Sequence, residues 1–192
     1  MNRLHRWYCQ SVRWKRKLEI EILPWALNGI DLGDSVLELG PGPGLTTDWL
    51  QPRCKSITCL EVDFSLAWSL RRRTASTNVH VQCGDATALP YCDQAFSAAV
   101  SFTMLHHVPS PPLQDRLFAE VHRVLRPEGV FVGVDSMSSL FMRAVHICDT
   151  MVLVHPVGLP ARLESVGFRD AKIEIGVGRF RFSARRPSEM RW

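Results

Sequence analysis

The most informative stretch of this sequence is SVLELGPGPGLTTDWL, Ser35–Leu50. A strand-like segment runs into three glycines at alternate positions, Gly40, Gly42 and Gly44, and the following residues are typical of a helix. A chain turns this tightly between a strand and a helix where its backbone approaches a ligand. The two intervening prolines, Pro41 and Pro43, have no N–H group to donate to a phosphate. The stretch therefore predicts a ligand-binding loop suited to a ligand without phosphates.

Two other interpretations of the glycine loop are open. A dinucleotide loop of the form G-x-G-x-x-G needs glycine or alanine at its closing position, where this chain has Leu45, so a nicotinamide oxidoreductase is disfavoured. A tight strand-to-helix turn without any ligand would contain the same residues.

The composition favours one globular domain. The chain has 192 residues, of which 46% are hydrophobic, and this is enough for a normal core. No apolar run reaches the ~18 residues of a membrane-spanning helix. The first residues lack the apolar centre of a secretory signal, so we expect a cytoplasmic protein. The six cysteines lack zinc-site spacing, and we expect reduced thiols that mostly pack in the core.

Strand-like and helix-like segments alternate after residue 34. The strand-like segments are SVLEL, SITCLEV, VHVQC, FSAAVSF and VFVGVD, and Ser110 is placed to cap a helix that begins with prolines. Such alternation predicts an α/β fold with a parallel sheet and helices on both faces. Near the C-terminus, FRDAKIEIGVGRFRFSAR alternates about Gly176 and Gly178, which predicts an antiparallel hairpin.

Two segments flank this core. Residues 3–23 are predicted to form an amphipathic helix, which Pro24 interrupts; its apolar positions are Leu4, Trp7, Trp14, Leu18 and Ile22. Residues 136–160 look helical and then irregular, with methionines and other apolar residues that suit either an adaptable binding surface or plain core.

Acidic residues lie at or just after the ends of the next two strands. Glu61 and Asp63 come about 20 residues after the glycines, where nucleotide-binding folds place the acid that accepts ribose hydroxyls. Asp63 is also well placed to start the next helix. Asp85 follows the third strand, where it either binds a ligand or forms a turn.

Together these motifs resemble those of the class I S-adenosylmethionine-dependent methyltransferases, over roughly residues 34–135. The family motif acid-x-G-x-G-x-G corresponds to Glu38 followed by the three glycines. The resemblance implies that the glycines admit the methionyl and ribose parts of S-adenosylmethionine and that Glu38 orients its amino group. From the spacing in the family, the resemblance implies that Glu61 binds the ribose and that Asp85 and Ala86 bind the adenine. It also implies that Met104 lies beside the methionine part.

The resemblance also implies an architecture. We expect a Rossmann-like three-layer sandwich with a mostly parallel seven-stranded sheet and an antiparallel C-terminal hairpin. Residues 1–33 would form a helical lid, and residues 34–192 the S-adenosylmethionine-binding methyltransferase domain, with an acceptor-side segment at 136–160. A lid or plain core packing is the favoured role of the first helix. Because this helix carries Trp7, Trp14 and basic residues, contact with an anionic membrane surface is the alternative.

Methyl transfer from a sulfonium mainly requires alignment of donor and acceptor. A general base is needed only when the acceptor keeps its proton, and His107 and His146 are the candidates, with packing as the alternative role of His107. Strand four lacks the Asn/Asp-Pro-Pro-aromatic motif of enzymes that methylate nucleic-acid bases, and it lacks the acid that holds magnesium in catechol-type enzymes. We therefore expect no nucleic-acid partner and no metal. Ser97 replaces an aspartate common in relatives, so one usual helper contact is missing.

The expected function is S-adenosylmethionine-dependent methyl transfer to an apolar or amphipathic small molecule. The resemblance is to the branch that includes quinone-biosynthesis methyltransferases. A lipid N-methyltransferase at the membrane surface is the enzymatic alternative. A noncatalytic S-adenosylmethionine-binding module is the alternative without turnover.

Overall fold

The computed structural model describes residues 11–138 and 150–188. Its strands are β1 Ser35–Leu39, β2 Ser56–Glu61, β3 Val79–Cys83, β4 Phe96–Phe102, β5 Leu125–Ser136, β6 Arg169–Gly176 and β7 Arg179–Arg185. They form one seven-stranded sheet in the order β3-β2-β1-β4-β5-β7-β6. The strands β1 to β5 pair in parallel, and β7 pairs antiparallel with both β5 and β6. The predicted mostly parallel sheet with an antiparallel hairpin is confirmed.

Helices cover both faces of the sheet. The first helix, α1, has an α segment at Val12–Lys17, a π segment at Leu18–Ile22 and an α segment at Leu23–Ala26. The others are α2 Leu45–Leu50, α3 Phe64–Arg73, α4 Pro111–Val124 and α5 Leu159–Ser165. Short 3-10 turns occupy Gln51–Arg53, Leu105–His107 and Pro156–Gly158. Among the described helices, none is long and apolar enough to cross a membrane.

The core is divided into two layers because successive side chains of a strand point to opposite faces. Val36 of β1 packs in one layer with Leu18 and Ile22 of α1 and Leu70 of α3. Leu37 packs in the other layer, with residues of α4 and α5. Helices α1, α2 and α3 therefore lie on one face, and α4 and α5 on the other. The three-layer sandwich is confirmed.

The first helix does not stop at Pro24, so that prediction is wrong. The backbone N–H of Leu23 bonds the carbonyl of Leu18, five residues back, and Pro24 falls in the first turn of the next segment. Proline is tolerated in a first turn because its missing N–H would have no partner there. The helix therefore continues to Ala26. The predicted positions Leu4 and Trp7 lie outside the described residues.

Ser97 lies at the start of β4, far along the strand from its carboxyl end. Its hydroxyl accepts from the backbone N–H of Ser35 at 2.9 Å and lies 2.7 Å from the carbonyl oxygen of Leu32. Ligands of parallel sheets bind at the opposite, carboxyl edge. Ser97 therefore ties down the chain that enters β1, and its replacement of an aspartate removes no ligand contact.

The segment after β5 returns to the sheet near the carboxyl ends of its strands. The N–H of Val152 donates to the carbonyl of His106 at 2.8 Å, and the amide of Gln114 donates to the carbonyl of Val152 at 2.8 Å. This contact brings Thr150 next to the strand ends. Most of the acceptor-side segment, residues 139–149, lies outside the described residues.

Candidate active site

The loop after β1 depends on its glycines. Gly40, Gly42 and Gly44 have φ angles of +62°, +56° and +86°, a region that glycine adopts without strain. A Cβ on Gly40 would lie 2.3 Å from Cγ of Met104, so that methionine packs directly on the loop. A Cβ on Gly42 would meet nothing within 4 Å. The loop thus leaves open space beside its second glycine.

Glu61 joins the end of β2 to this loop. Its Oε2 accepts from the backbone N–H of Gly42 at 2.9 Å, and its Oε1 accepts from the N–H of Asp63 at 3.0 Å. The side chain is buried, with 5% of its surface exposed. Each carboxylate oxygen has a second lone pair, so Glu61 can still accept hydrogen bonds from two ligand hydroxyls. This arrangement has the chemistry of a ribose-binding carboxylate.

Asp63 behaves as the expected start of a helix. Its Oδ1 accepts from the N–H groups of Ser65 at 2.8 Å and Leu66 at 3.2 Å, which caps α3. It also lines the cavity described below.

Asp85 and Ala86 lie at the neighbouring strand end. The N–H of Gly84 donates to the carbonyl of Glu61 at 3.0 Å, which fixes the turn after β3 against β2. Oδ1 of Asp85 accepts from the N–H of Thr87 at 2.8 Å and forms an Asx turn, the alternative that the sequence left open. The carboxylate is nevertheless exposed beside the cavity, where its other oxygen is available to an amino group.

Glu38 occupies a different position from the other predicted residues. It lies beneath the loop, only 1% exposed, and is not among the cavity-lining residues. Its carboxylate accepts from the hydroxyls of Thr46 and Thr47, the latter at 2.6 Å, and from Cys59 at 3.4 Å. Burial raises the pKa of Glu38 against the opposing effect of these hydrogen bonds. Thr46 lines the cavity, so the hydroxyl of Thr46 links Glu38 to the cavity wall.

The histidine pair after β4 separates into two roles. His106 is buried, and its ring Nδ1 lies 2.5 Å from Oδ1 of Asp135. The backbone N–H of His106 donates to Oδ2 of Asp135 at 3.1 Å. His107 lines the cavity, with its ring centroid 4.3 Å from that of His106. His146, the other candidate base, lies outside the described residues.

One cavity of about 450 Å³ lies at the carboxyl ends of the strands. Glu61, Asp63 and Asp85 line it at the ends of β2 and β3. Apolar residues also line it, and the sequence did not single out several of them: Leu66, Phe102, Val108, Pro109 and Leu113. Trp14 and Leu18 of α1 also reach the wall.

The charge of the cavity indicates its ligand. The described lining residues include three carboxylates and neither lysine nor arginine. Such a site favours a cationic ligand over a pyrophosphate. A sulfonium nucleoside fits: Glu61 would hold its ribose, Asp85 and Ala86 its adenine, and the glycine loop and Met104 would border its methionine part. Among the described residues, no three histidine, cysteine, aspartate or glutamate side chains are grouped to hold a metal ion.

Curated relatives include methyltransferases with different acceptors. Ribosomal RNA small subunit methyltransferase A of Coxiella burnetii is 26% identical over 155 residues, covering 71% of this chain and 59% of that protein. Demethylmenaquinone methyltransferase of Renibacterium salmoninarum is 29% identical over 123 residues, covering 64% of this chain and 47% of that protein. The chain thus spans about half the length of these relatives.

The fold is shared with solved structures. A SAM-dependent methyltransferase from Aquifex aeolicus superposes with a TM-score of 0.75 at 17% identity, covering 97% of this chain and 99% of the other. The model of the family described as "Methyltransferase domain" matches residues 37–133, which run from β1 to β5 and contain the glycine loop, Glu61, Asp85 and Met104. A match over half of the chain, on the segments that form the cavity, shows that this chain belongs to the methyltransferase domain family.

Proposed function

We propose that this protein transfers the methyl group of S-adenosylmethionine to an apolar or amphipathic small molecule. One observation carries the proposal: the same cavity is lined by carboxylates at the ends of β2 and β3 and by apolar side chains at the end of β4 and on α4. Glu61, Asp63 and Asp85 suit the nucleoside, whereas Phe102, Val108, Leu113 and other apolar side chains suit a hydrophobic acceptor.

Methyl transfer mainly requires the protein to place the methyl donor and the acceptor in line. When bound, S-adenosylmethionine supplies an activated methyl group on a sulfonium. The protein contributes alignment, which is worth on the order of 7–11 kcal/mol of barrier lowering in well-oriented reactions. The apolar wall contributes by excluding water and by holding the acceptor.

His107 is the proposed base for an acceptor that keeps its proton at neutral pH. It lines the cavity, whereas His106 is held against Asp135. For such an acceptor, His107→Gln should lower kcat by about 10²–10⁴-fold and remove the acidic limb of the pH–rate profile. For a carbon acceptor that needs no base, the same variant should retain most of its activity.

The relatives differ in the class of methyl acceptor that their names give. Some relatives are named as ribosomal RNA methyltransferases, which counts against the expectation of no nucleic-acid partner. The chain after β4 reads SFTMLHH and lacks the Asn/Asp-Pro-Pro-aromatic motif. The apolar lining and the demethylmenaquinone relative support a small hydrophobic acceptor. The comparisons favour neither a lipid N-methyltransferase nor a noncatalytic module.

Cofactor binding is tested by calorimetry with S-adenosylhomocysteine. We expect Glu61→Gln and Asp85→Asn each to weaken binding by about ten- to a hundredfold, since each loses a charge-assisted hydrogen bond of about 1.5–3 kcal/mol. Glu164→Gln, an exposed change on α5, should bind like the wild type. Unchanged affinity in both site variants would contradict the assignment of this cavity.

The acceptor is tested with S-adenosylmethionine labelled in its methyl group. Quinols, phenols and ribosomal RNA are offered separately, and the label is followed into organic solvent or into RNA. Incorporation into an extractable small molecule supports the proposal. Incorporation into RNA alone would overturn it.

A further inference from the structure

Helix α3 exposes two aromatic side chains to solvent. Phe64 and Trp68 lie one turn apart, with 70% and 54% of their surfaces exposed. Their rings are stacked, with centroids 6.4 Å apart and planes 13° from parallel. The inner face of α3 is buried: Leu70 packs in the core layer against the sheet, and Leu66 and Ala67 are also buried. The aromatic pair therefore points away from the core and covers no described part of the fold.

Two arginines continue this exposed face. Arg71 and Arg72 follow Trp68 at helical spacing and are both exposed. Neither forms an ion pair or hydrogen bond with another residue that the structure describes, whereas the adjacent Arg73 pairs with Asp48. Two cations that have no partner among the described residues thus lie beside two exposed aromatic rings.

The whole helical layer around α3 is basic. Within the described part of the chain, helices α1, α2 and α3 and the 3-10 turn Gln51–Arg53 contain eight basic residues and three acidic ones: Arg13, Lys15, Arg16, Lys17, Arg53, Arg71, Arg72 and Arg73 against Glu19, Glu21 and Asp48. The described helices of the opposite face, α4 and α5, contain three of each: Arg116, Arg123 and Arg162 against Asp115, Glu120 and Glu164. One face of the molecule is therefore complementary to an anionic surface.

We propose that this face docks on an anionic membrane surface, with Phe64 and Trp68 entering the lipid interface and Arg71 and Arg72 contacting lipid phosphates. Tryptophan prefers the membrane interface, and each basic residue near an anionic leaflet strengthens binding. Ile20 of α1 is also exposed, at 67%, on the same layer. An aliphatic side chain gains from lipid and offers no ring on which a nucleic-acid base can stack, so the surface suits lipid better than RNA.

Docking on this face would bring the cavity to the lipid boundary. The cavity is bordered by Trp14 and Leu18 of α1 and by Asp63 and Leu66 at the start of α3, so its wall is shared with both docking helices. The proposal concerns where the protein binds, and it does not imply that a lipid is the methyl acceptor. It goes beyond the proposed methyl transfer, and neither Phe64, Trp68, Arg71 nor Arg72 lines the cavity.

The test is co-sedimentation of the whole protein with sucrose-loaded vesicles, without cofactor or acceptor. Vesicles of phosphatidylcholine mixed with phosphatidylglycerol should bind the protein, and vesicles of phosphatidylcholine alone should not. Binding should weaken as salt rises, because phosphate contacts are screened. Arg71→Gln with Arg72→Gln should lower the partition coefficient about thirtyfold, and Phe64→Ser with Trp68→Ser by at least about tenfold.

Matched controls use other exposed residues. Arg116→Gln with Arg169→Gln removes two charges from elsewhere, and Val177→Ser removes an apolar side chain that is 96% exposed in the hairpin turn. Both should partition like the wild type. Thermal unfolding and S-adenosylhomocysteine calorimetry verify that all variants fold and bind cofactor, so a failure of docking is separable from a failure of the proposed function.

Three results would overturn the proposal. The first is the absence of binding to anionic vesicles at low salt. The second is an equal loss of binding in the control variants. The third is RNA binding, in a gel-shift assay, that depends on the four residues while vesicle binding does not.

Discussion

Glu38 and Glu61 are buried carboxylates near the ends of neighbouring strands, yet their surroundings differ. Glu61 accepts from two backbone N–H groups and lines the cavity. Glu38 accepts from side-chain hydroxyls and a thiol beneath the loop. Because both are glutamates at or near the end of a strand, residue type and position along the strand did not distinguish their surroundings.

Glu38 should make stability depend on pH. Its pKa is raised above the unperturbed value of 4.5, so the folded state holds the proton more tightly than the unfolded state. The wild type should therefore lose stability relative to Glu38→Gln as the pH rises from about 4.5 through the raised pKa, with a slope of up to about 1.4 kcal/mol per pH unit. Urea unfolding of both proteins across this pH range measures the difference.

An exposed glutamate serves as the control for this experiment. The difference between wild type and Glu164→Gln should stay constant with pH. A constant difference for Glu38→Gln as well would show that its pKa is not raised in the folded protein.

At the scale of elements, Ser97 fastens the entry of β1 to the start of β4. Ser97→Ala should lower the free energy of unfolding by about 1–3 kcal/mol, because the N–H of Ser35 loses its hydroxyl acceptor. S-adenosylhomocysteine should bind the variant with unchanged affinity, since Ser97 does not line the cavity. Denaturant unfolding and calorimetry check the two parts. A large loss of affinity with normal stability would restore a ligand role for this position.

Helix α1 should act as a lid, as the family resemblance implies. Trp14 lines the cavity from this helix. Trp14→Ala should weaken S-adenosylhomocysteine binding about tenfold by removing apolar contact, and faster dissociation should account for most of the change. Surface plasmon resonance resolves the two rates. Trp68→Ala, an exposed tryptophan outside the cavity, is the control, and equal behaviour of the two variants would argue against a lid.

At the scale of the whole molecule, the C-terminal hairpin holds the first helix. Arg181 of β7 donates to the carbonyl oxygen of Trp25, and Glu174 of β6 accepts from the indole N–H of Trp25 at 2.7 Å and from Arg181 at 2.5 Å. These contacts join α1 to strands that lie about 150 residues later in the chain. The hairpin therefore supports the helix that borders the cavity.

Arg181→Ala should locally destabilise both helix α1 and the β6–β7 hairpin. We expect faster amide exchange in peptides from α1 and from β6–β7, with a stability loss of about 1 kcal/mol for the lost hydrogen bonds. Exchange mass spectrometry locates the effect. Arg169→Gln, an exposed change on β6, should leave exchange in α1 unaltered, and the same result for Arg181→Ala would contradict this role.

Much of the fold could be predicted from local patterns, because each pattern has a local cause. The β–α alternation could be predicted from apolar periodicity. The glycine loop could be predicted because glycine adopts positive φ angles without strain, and Gly40 and Gly44 do have positive φ angles. The end of α1 could not be predicted this way. Pro24 signals a break in a helix, but packing of Leu18, Ile22 and Leu23 in the core, with a π segment before the proline, continues the helix.

By itself, the sequence determined the order of the elements, the position of the glycine loop and the acids that end β2 and β3, because these depend on short-range geometry and residue type. Only the tertiary structure decided that Glu61 lines the cavity and Glu38 does not, that Ser97 lies at the far end of its strand, and that Trp14 and Leu113 share a cavity with Asp85. Those outcomes depend on which distant segments pack together, and packing sums many weak contacts that no single motif encodes.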